Sequence, residues 1–308
     1  MTTAASIDDP AGPCPGDNTL AAVVDGGGSA NGSLLAHLSR CGQCQALVAE
    51  ILRDGNEEDT RYEIERLIGI GGMGLVVRAR DAVLERAVAL KVLWRGSADS
   101  PGNSAVLAEA RTMARFAHPN IVTVHDAGQL PRVGAPFIAM ELVDGESLRQ
   151  WLTRAHSWQE VVDVFVDAAK GLEAAHAVGI VHADFKPANV LLADDGARTR
   201  VTDFGLAHHI AGQSDPRRAV GGTPRYTAPE QRERSPDARS DQYAFGVALH
   251  EALWGEHPHR EGPCPAVGCP SVPSRLRRVV GRCTNEDPAL RSPSMTVVID
   301  ERRRRPKA

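Results

Sequence analysis

His182-Ala183-Asp184-Phe185-Lys186-Pro187-Ala188-Asn189, followed fourteen residues after Asn189 by Asp203-Phe204-Gly205, gathers a candidate base, a cation and two metal-binding side chains into one short segment. Phosphoryl transfer calls for such a set, because the protein's main task there is to position phosphates and metal and to neutralise developing charge. Asp184 is the candidate base. An unperturbed aspartate, with a pKa of about 3.9, is a weak base, so orienting a hydroxyl is a safer role for it than strong proton abstraction. Asn189 and Asp203 offer the hard oxygen ligands that Mg²⁺ prefers.

A second group of residues lies upstream. Gly69-Ile70-Gly71-Gly72-Met73-Gly74-Leu75-Val76 falls between two expected strands. Glycines let a tight hairpin bring its backbone close to phosphate oxygens, where a Cβ would intrude. A dinucleotide-binding loop would lead from strand into helix, and here a strand follows. On its own the pattern fits a plain structural hairpin as well. Lys91, in Val88-Ala89-Leu90-Lys91, is flanked by apolar residues, so its ammonium needs an anionic partner or a ligand.

Taken together these segments resemble the catalytic machinery of eukaryotic-type Ser/Thr protein kinases, over about residues 62 to 299. The resemblance implies that Lys91 contacts the α- and β-phosphates of ATP, and that Glu109, nine residues before His118-Pro119-Asn120, pairs with it. It implies that Lys186 contacts the γ-phosphate and that Asn189 and Asp203 bind Mg²⁺ or Mn²⁺. Gly69, Gly71, Gly72 and Gly74 would cover the phosphates. Val76, Ala89 and Leu191 would sandwich the adenine, Met140 would be the gatekeeper, and backbone groups of Glu141 and Val143 would bind the adenine edge. The apolar residues among these suit an ordinary buried strand equally well.

Gly222-Thr223-Pro224-Arg225-Tyr226-Thr227-Ala228-Pro229-Glu230 resembles the end of the activation segment. Asp241 resembles the buried aspartate that holds the catalytic loop, and Arg291 the partner of Glu230. Lys186 with Thr223 favours Ser/Thr over Tyr as acceptor. Gly-x-Gly-Gly-Met-Gly with Ala-Pro-Glu-Gln leans towards the bacterial branch. The sequence departs from the family in two places. Ala183 replaces the Arg that in many relatives binds a phosphorylated activation-loop residue, a contact Ala cannot make; activity is therefore expected not to depend on that switch. The span from Gly255 to Arg291 is short and rich in proline, and a Cys264/Cys269 loop is expected where relatives carry a substrate-docking helix.

The elements that must position these residues divide into a β-rich and an α-rich part. Strands are expected over Tyr62–Ile70, Leu75–Arg80, Ala87–Leu93, Ile121–Asp126 and Phe137–Leu142. Helices are expected over Ser104–Phe116, with Leu107, Ala110, Met113 and Ala114 on one face, and over Ser147–Arg154, Trp158–Ala177 and Ser240–Trp254. The fold class expected is α+β: a two-lobed protein-kinase-like fold with a β-rich N-lobe, an α-rich C-lobe and a cleft between them. At 308 residues, 42% hydrophobic and 24% charged, the chain suits that size of core. A net charge of -4 gives no reason to expect nucleic acid or an acidic membrane as partner. The longest apolar stretch, Ala244–Trp254, falls short of the roughly 20 residues that span a bilayer. With Asp8, Asp9 and prolines at the amino terminus in place of a secretory signal, a cytoplasmic location is expected.

Before the kinase-like region, His37-x-x-x-Cys41-x-x-Cys44 places three ligand types on adjacent helical turns. Imidazole and thiolate suit Zn²⁺, and Cys14 is the natural fourth ligand. The arrangement resembles the zinc-binding anti-sigma fold, a small helical module. A metal-free surviving fold and a redox pair are the other readings. The expected organisation is a zinc-binding module at 1–53, a linker at 54–61, a protein kinase domain at 62–300 (N-lobe 62–143, C-lobe 144–300) and a basic tail at 301–308. The expected function is transfer of the ATP γ-phosphate to protein Ser/Thr hydroxyls by a non-specific serine/threonine protein kinase in bacterial signalling, with protein substrates and a regulatory protein bound by the amino-terminal module as partners. The rival is a pseudokinase scaffold that binds nucleotide or a transcription-factor partner without efficient turnover.

Overall fold

The structure, a computed structural model, describes residues 14–15, 19–20, 32–38, 40–54, 61–71, 74–93, 107, 110–130, 135–204, 224–258, 272–296 and 299–300. Glu109, Gly72, Gly205, Gly222, Thr223, the Cys264/Cys269 loop and the tail at 301–308 lie outside the described residues, as does most of the helix expected over Ser104–Phe116. The chain divides into two compact units, Met1–Arg115 with Val124–Leu142 and Phe116–Thr123 with Val143–Ala308.

The first unit holds α1 (Gly32–Leu38), α2 (Gly42–Asp54), and strands β1 (Tyr62–Gly71), β2 (Gly74–Asp81), β3 (Arg86–Leu93), β4 (Val124–Gln129) and β5 (Pro136–Glu141). The strands form one antiparallel sheet in the order β1-β2-β3-β5-β4. Side chains alternate across a strand, so its register sorts residues by face. Leu75, Val77 and Ala79 of β2 lie opposite Val92, Leu90 and Val88 of β3. Those β3 residues face Phe137 and Ala139 of β5, apart from Val88, which faces Glu141. These apolar residues join Tyr62 and Ile64 of β1 in one core, and Leu38, Cys41, Cys44, Val48 and Leu52 of the amino-terminal helices belong to the same core. Gly74 closes the β1–β2 hairpin at φ +159°, where a Cβ would lie 2.1 Å from the Val92 carbonyl oxygen.

The second unit contains the three-stranded sheet β6 (Glu146–Ser147), β7 (Val190–Ala193) and β8 (Arg198–Val201), and helices α3 (Leu148–Trp151), α4 (Trp158–Ala177), α5 (Ala238–Trp254) and α6 (Ser274–Cys283). The start of α4 is set locally. Ser157 accepts the Glu160 amide while Glu160 accepts the Ser157 amide, a reciprocal cap that satisfies two orphan donors. Asp237 likewise caps α5 by accepting from the Arg239 and Ser240 amides, and Gly255 ends it in the left-handed conformation at φ +77°. α5 is buried on nearly every side and packs Phe245 edge-on against Phe165 of α4, with ring centroids 5.3 Å apart. Gly246 lets α6 approach, since a Cβ there would sit 2.6 Å from that of Cys283.

Three expectations change. Ile121 does not open β4, which begins at Val124; it bridges to Val201 in parallel instead. The Val122 amide donates to the Val201 carbonyl and the Val201 amide to that of Asn120, so this segment belongs to the second unit. Ala114 leaves the apolar helix face because the helix ends at Met113 and turns; Ala114 is exposed while Ala110 and Met113 are buried. α3 is shorter than expected because Glu146 and Ser147 pair with Leu192 and Leu191 as a strand, and Ser147 then caps the helix. No helix among the described residues is long and apolar enough to cross a membrane.

Candidate active site

The segment from His182 to Asn189 hangs on one buried carboxylate. Asp241, 1% exposed and in the first turn of α5, accepts the His182 amide on Oδ2 at 2.7 Å and the Ala183 amide on Oδ1 at 2.8 Å. His176 of α4 adds its ring Nε2 to Oδ2 at 2.8 Å. Directly after these two amides the chain turns, with Ala183 in the left-handed region at φ +64°. A left-handed non-glycine residue costs roughly 1–2 kcal/mol, and such strain persists only where surroundings enforce it.

The fully buried His182 ring ties this segment to the next one. Its Nε2 lies 2.9 Å from the Thr202 carbonyl, and its Nδ1 accepts the Asp184 amide at 3.3 Å. Both contacts are met by one tautomer, with the proton on Nε2. The ring also packs against Phe204 and Phe185, with centroids 4.7 and 5.8 Å away. The Thr202 amide donates in turn to the Asn189 carbonyl at 2.9 Å. Asp203, next along, is half-buried with φ +64°, so its backbone is turned sharply as well.

Within the segment the polar side chains converge on Asp184, which is 6% exposed. Lys186 donates its Nζ to Asp184 Oδ2 at 2.6 Å, and Asn189 donates Nδ2 to the Asp184 carbonyl at 2.9 Å. The structure therefore brings Asp184, Lys186 and Asn189 together directly, and Asp203 through Thr202. Downstream, Arg291 makes a bidentate pair with Glu230 at 2.5 and 2.8 Å, its guanidinium also stacked 4.9 Å over Tyr243. Sequence reasoning missed two contributors. His176 carries no spacing signal, because its partner is 65 residues away. Glu251 accepts from both Arg225 and the Tyr226 hydroxyl, and burial together with that carboxylate pushes the Tyr226 phenol up.

In the first unit the register places another set on one surface. Val76 lies opposite Lys91, and Lys91 opposite Ile138; Arg78 lies opposite Ala89, and Ala89 opposite Met140. Val76, Ala89, Lys91 and Met140 therefore share the sheet face that points away from the core containing α2. Lys91 is 5% exposed. Gly69 pairs with Val76 and Gly71 with Gly74, which makes the glycine loop a hairpin between strands, as expected. Val143 and Leu191 are half-buried in the second unit.

The cysteines of the amino-terminal helices also converge. Cys14 Sγ is 3.7 Å from Cys41 Sγ, His37 Nε2 is 3.3 Å from Cys44 Sγ, and all four ligand atoms lie within 4.8 Å of one another. Ligands about 2.0–2.3 Å from a tetrahedral Zn²⁺ sit roughly 3.3–3.8 Å apart, so the donor set and the Cys14–Cys41 and His37–Cys44 separations fit zinc. None of these thiols is disulfide-bonded. The Cys44 backbone amide draws the Cys41 thiol down to about 7, which favours the thiolate that metals bind, whereas burial pushes Cys44 up to about 12.

A family model described as protein kinase domain matches residues 62–266. The chain belongs to that family. Serine/threonine-protein kinase PknA of Mycobacterium tuberculosis (strain ATCC 25618 / H37Rv) is 37% identical over 253 residues, which cover 75% of this chain and 58% of PknA. Serine/threonine-protein kinase PknB of Mycobacterium leprae (strain TN) is 40% identical over 206 residues, covering 64% of this chain and 33% of PknB. The crystal structure of the Mycobacterium tuberculosis PknI kinase domain is similar at a TM-score of 0.62 and 29% identity, covering 78% of this chain and 94% of that one. The chain thus spans only part of PknA and PknB, and nearly all of the PknI kinase domain. The strand-rich first unit and helical second unit are the N- and C-lobes of the kinase fold.

The three donors on Asp241 generate a prediction. Asp241→Asn replaces one acceptor oxygen by a donor that faces other donors, and a buried group left unsatisfied costs about 1–3 kcal/mol. Urea denaturation should show a loss of that size, with faster proteolysis around Ala183. Unchanged stability and cleavage would show that the loop is held by something else.

Proposed function

We propose that the protein is a Ser/Thr protein kinase that transfers the γ-phosphate of ATP to hydroxyl groups of protein substrates. The observation that carries this reading is the convergence of Lys186 and Asn189 on a nearly buried Asp184, on a loop tied through Thr202 to Asp203. Asp184 would orient the acceptor hydroxyl and take its proton as the bond to phosphorus forms. Lys186 would offset charge on the transferring phosphoryl group, and Lys91 would bind the α- and β-phosphates, with Glu109 as its partner. Asn189 and Asp203 are the residues that would hold Mg²⁺ or Mn²⁺, which when bound neutralises phosphate charge. Gly69, Gly71, Gly72 and Gly74 would cover the phosphates, and Val76, Ala89, Met140, Glu141, Val143 and Leu191 would receive the adenine. With this set intact, nothing favours a non-catalytic scaffold.

Two further readings belong to the same proposal. Ala183 spends its amide on Asp241 and has only a methyl group to offer, so an activation-loop phosphate has no guanidinium to meet at this position. Cys14, His37, Cys41 and Cys44 would hold a structural Zn²⁺, and thiols of this kind persist in a reducing compartment such as the cytoplasm. A regulatory partner of the amino-terminal helices would meet the exposed Gly42, Gln43, Ala46 and Glu50, since the apolar stripe of α2 is already packed in the sheet's core.

Incubation with [γ-³²P]ATP and Mg²⁺ should label the protein or an added Ser/Thr substrate, and Asp184→Asn should reduce the rate at least about 100-fold while retaining nucleotide binding. Equal rates for variant and wild type would remove Asp184 from the chemistry. Ser214 is the one hydroxyl residue in the sequence between Phe204 and Gly222. Ser214→Ala should leave the rate within about a factor of two, because a phosphate there would lack its arginine; a collapse of activity in a stable variant would contradict it. Elemental analysis should find one zinc per chain, lost in Cys41→Ser. Metal-free protein with full thermal stability would refute the zinc site.

A further inference from the structure

The N-lobe sheet has different company on its two faces. One face carries Val76, Ala89, Lys91 and Met140. The other shares a single core with Leu38, Cys41, Cys44, Val48 and Leu52 of the amino-terminal helices. On α2, Cys44, Val48 and Leu52 recur every four residues and so form one stripe, with a ligand at its start and core residues below it. His37 and Leu38 repeat the arrangement at the end of α1, where the Cys41 amide donates to the His37 carbonyl at 2.9 Å. Ligands and packing residues are therefore the same stretch of chain.

We propose that zinc at Cys14, His37, Cys41 and Cys44 controls how well the nucleotide-binding face of the sheet is formed, by fixing the helices that back it. The proposal rests on the zinc reading given above. Helices of 7 and 13 residues do not hold together in water on their own. Their order must come from the metal, from the sheet, or from both. Without the metal, two buried thiols and an imidazole lose their common partner, and the stripe that packs on β1, in the core shared with Leu75, Val77 and Leu90, loosens. The sheet is one layer thick, so Ala89 and Lys91 alternate with Val88, Leu90 and Val92 on the same strand. Uncovering one set lets the backbone that positions the other set relax. By linkage, zinc and nucleotide then favour each other's binding. A kinase built in this way reads zinc availability through its N-lobe.

The test uses the full chain, stripped of metal with a chelator, dialysed, and compared with the same protein reloaded with ZnSO₄. Zinc should slow hydrogen exchange in peptides from β1 to β3 by about tenfold or more, and leave α4 and α5 unchanged. The affinity for a non-hydrolysable ATP analogue with Mg²⁺ should rise by about threefold or more. Val48→Ala keeps every ligand but cuts the stripe, so it should still bind one zinc while losing most of both effects. Stoichiometric zinc binding with no change in strand exchange or nucleotide affinity would overturn the coupling and leave the metal site standing. Failure to bind zinc at all would overturn the site and the coupling together. The wild-type comparison decides between these outcomes even if Val48→Ala does not fold.

Discussion

Asp241 turns both carboxylate oxygens inward, where they accept the amides of His182 and Ala183 and the ring N–H of His176. Burying an ionised group is costly unless donors surround it, and here three do so. The first turn of α5 adds the favourable end of the helix dipole. Much of the second unit follows from this arrangement. α5 must sit at the centre to carry Asp241, which is why it is buried on nearly every side. α4 must pass close enough to offer His176. The loop pinned by its amides turns left-handed at Ala183, and beyond it Asp184 meets Lys186 and Asn189.

The same logic of one group satisfying several neighbours recurs at His182. Its ring spans from Asp184 to Thr202, and Thr202 spans to Asn189. The proposed base and the proposed metal ligands are thereby joined through backbone groups. Backbone positions move less than long side chains, so a site built this way holds its geometry without the substrate. In the first unit, register does the corresponding work. One antiparallel pairing places Lys91, the proposed phosphate ligand, on one face with Val76, Ala89 and Met140, and consigns their neighbours to the core shared with the cysteine-bearing helices.

Much of this was legible in the sequence because it is local. The reciprocal cap of Ser157 and Glu160 fixes the start of α4 within one turn, and the expected bounds Trp158–Ala177 agree with the structure. Period-two alternation and the glycine hairpin locate β1 to β3 to within a residue or so. Ile121 departs from the expected strand because an apolar run does not announce its partner: hydrogen bonds of its neighbours Asn120 and Val122 with Val201, 80 residues on from Ile121, draw it into the second unit. Ser147 reads as the first residue of a helix for a similar reason, since its strand pairing with Leu191 lies 44 residues away. His176 and Glu251 were invisible as anchors because a lone titratable residue on a helix has no pattern.

The sequence by itself determined the chemistry: which residues could act as base, cation and metal ligand, and that the chain carries the kinase motifs in order. It also set the cysteine and histidine spacing, although the ligands meet across the break between α1 and α2 and not along one helix. Tertiary structure alone decided that His176 joins the two amides on Asp241, and that the amino-terminal helices share a core with the sheet. Spacing along the chain constrains neighbours within a few turns. The partners of Asp241 and of Val48 are chosen by burial, which depends on what the whole fold excludes from water.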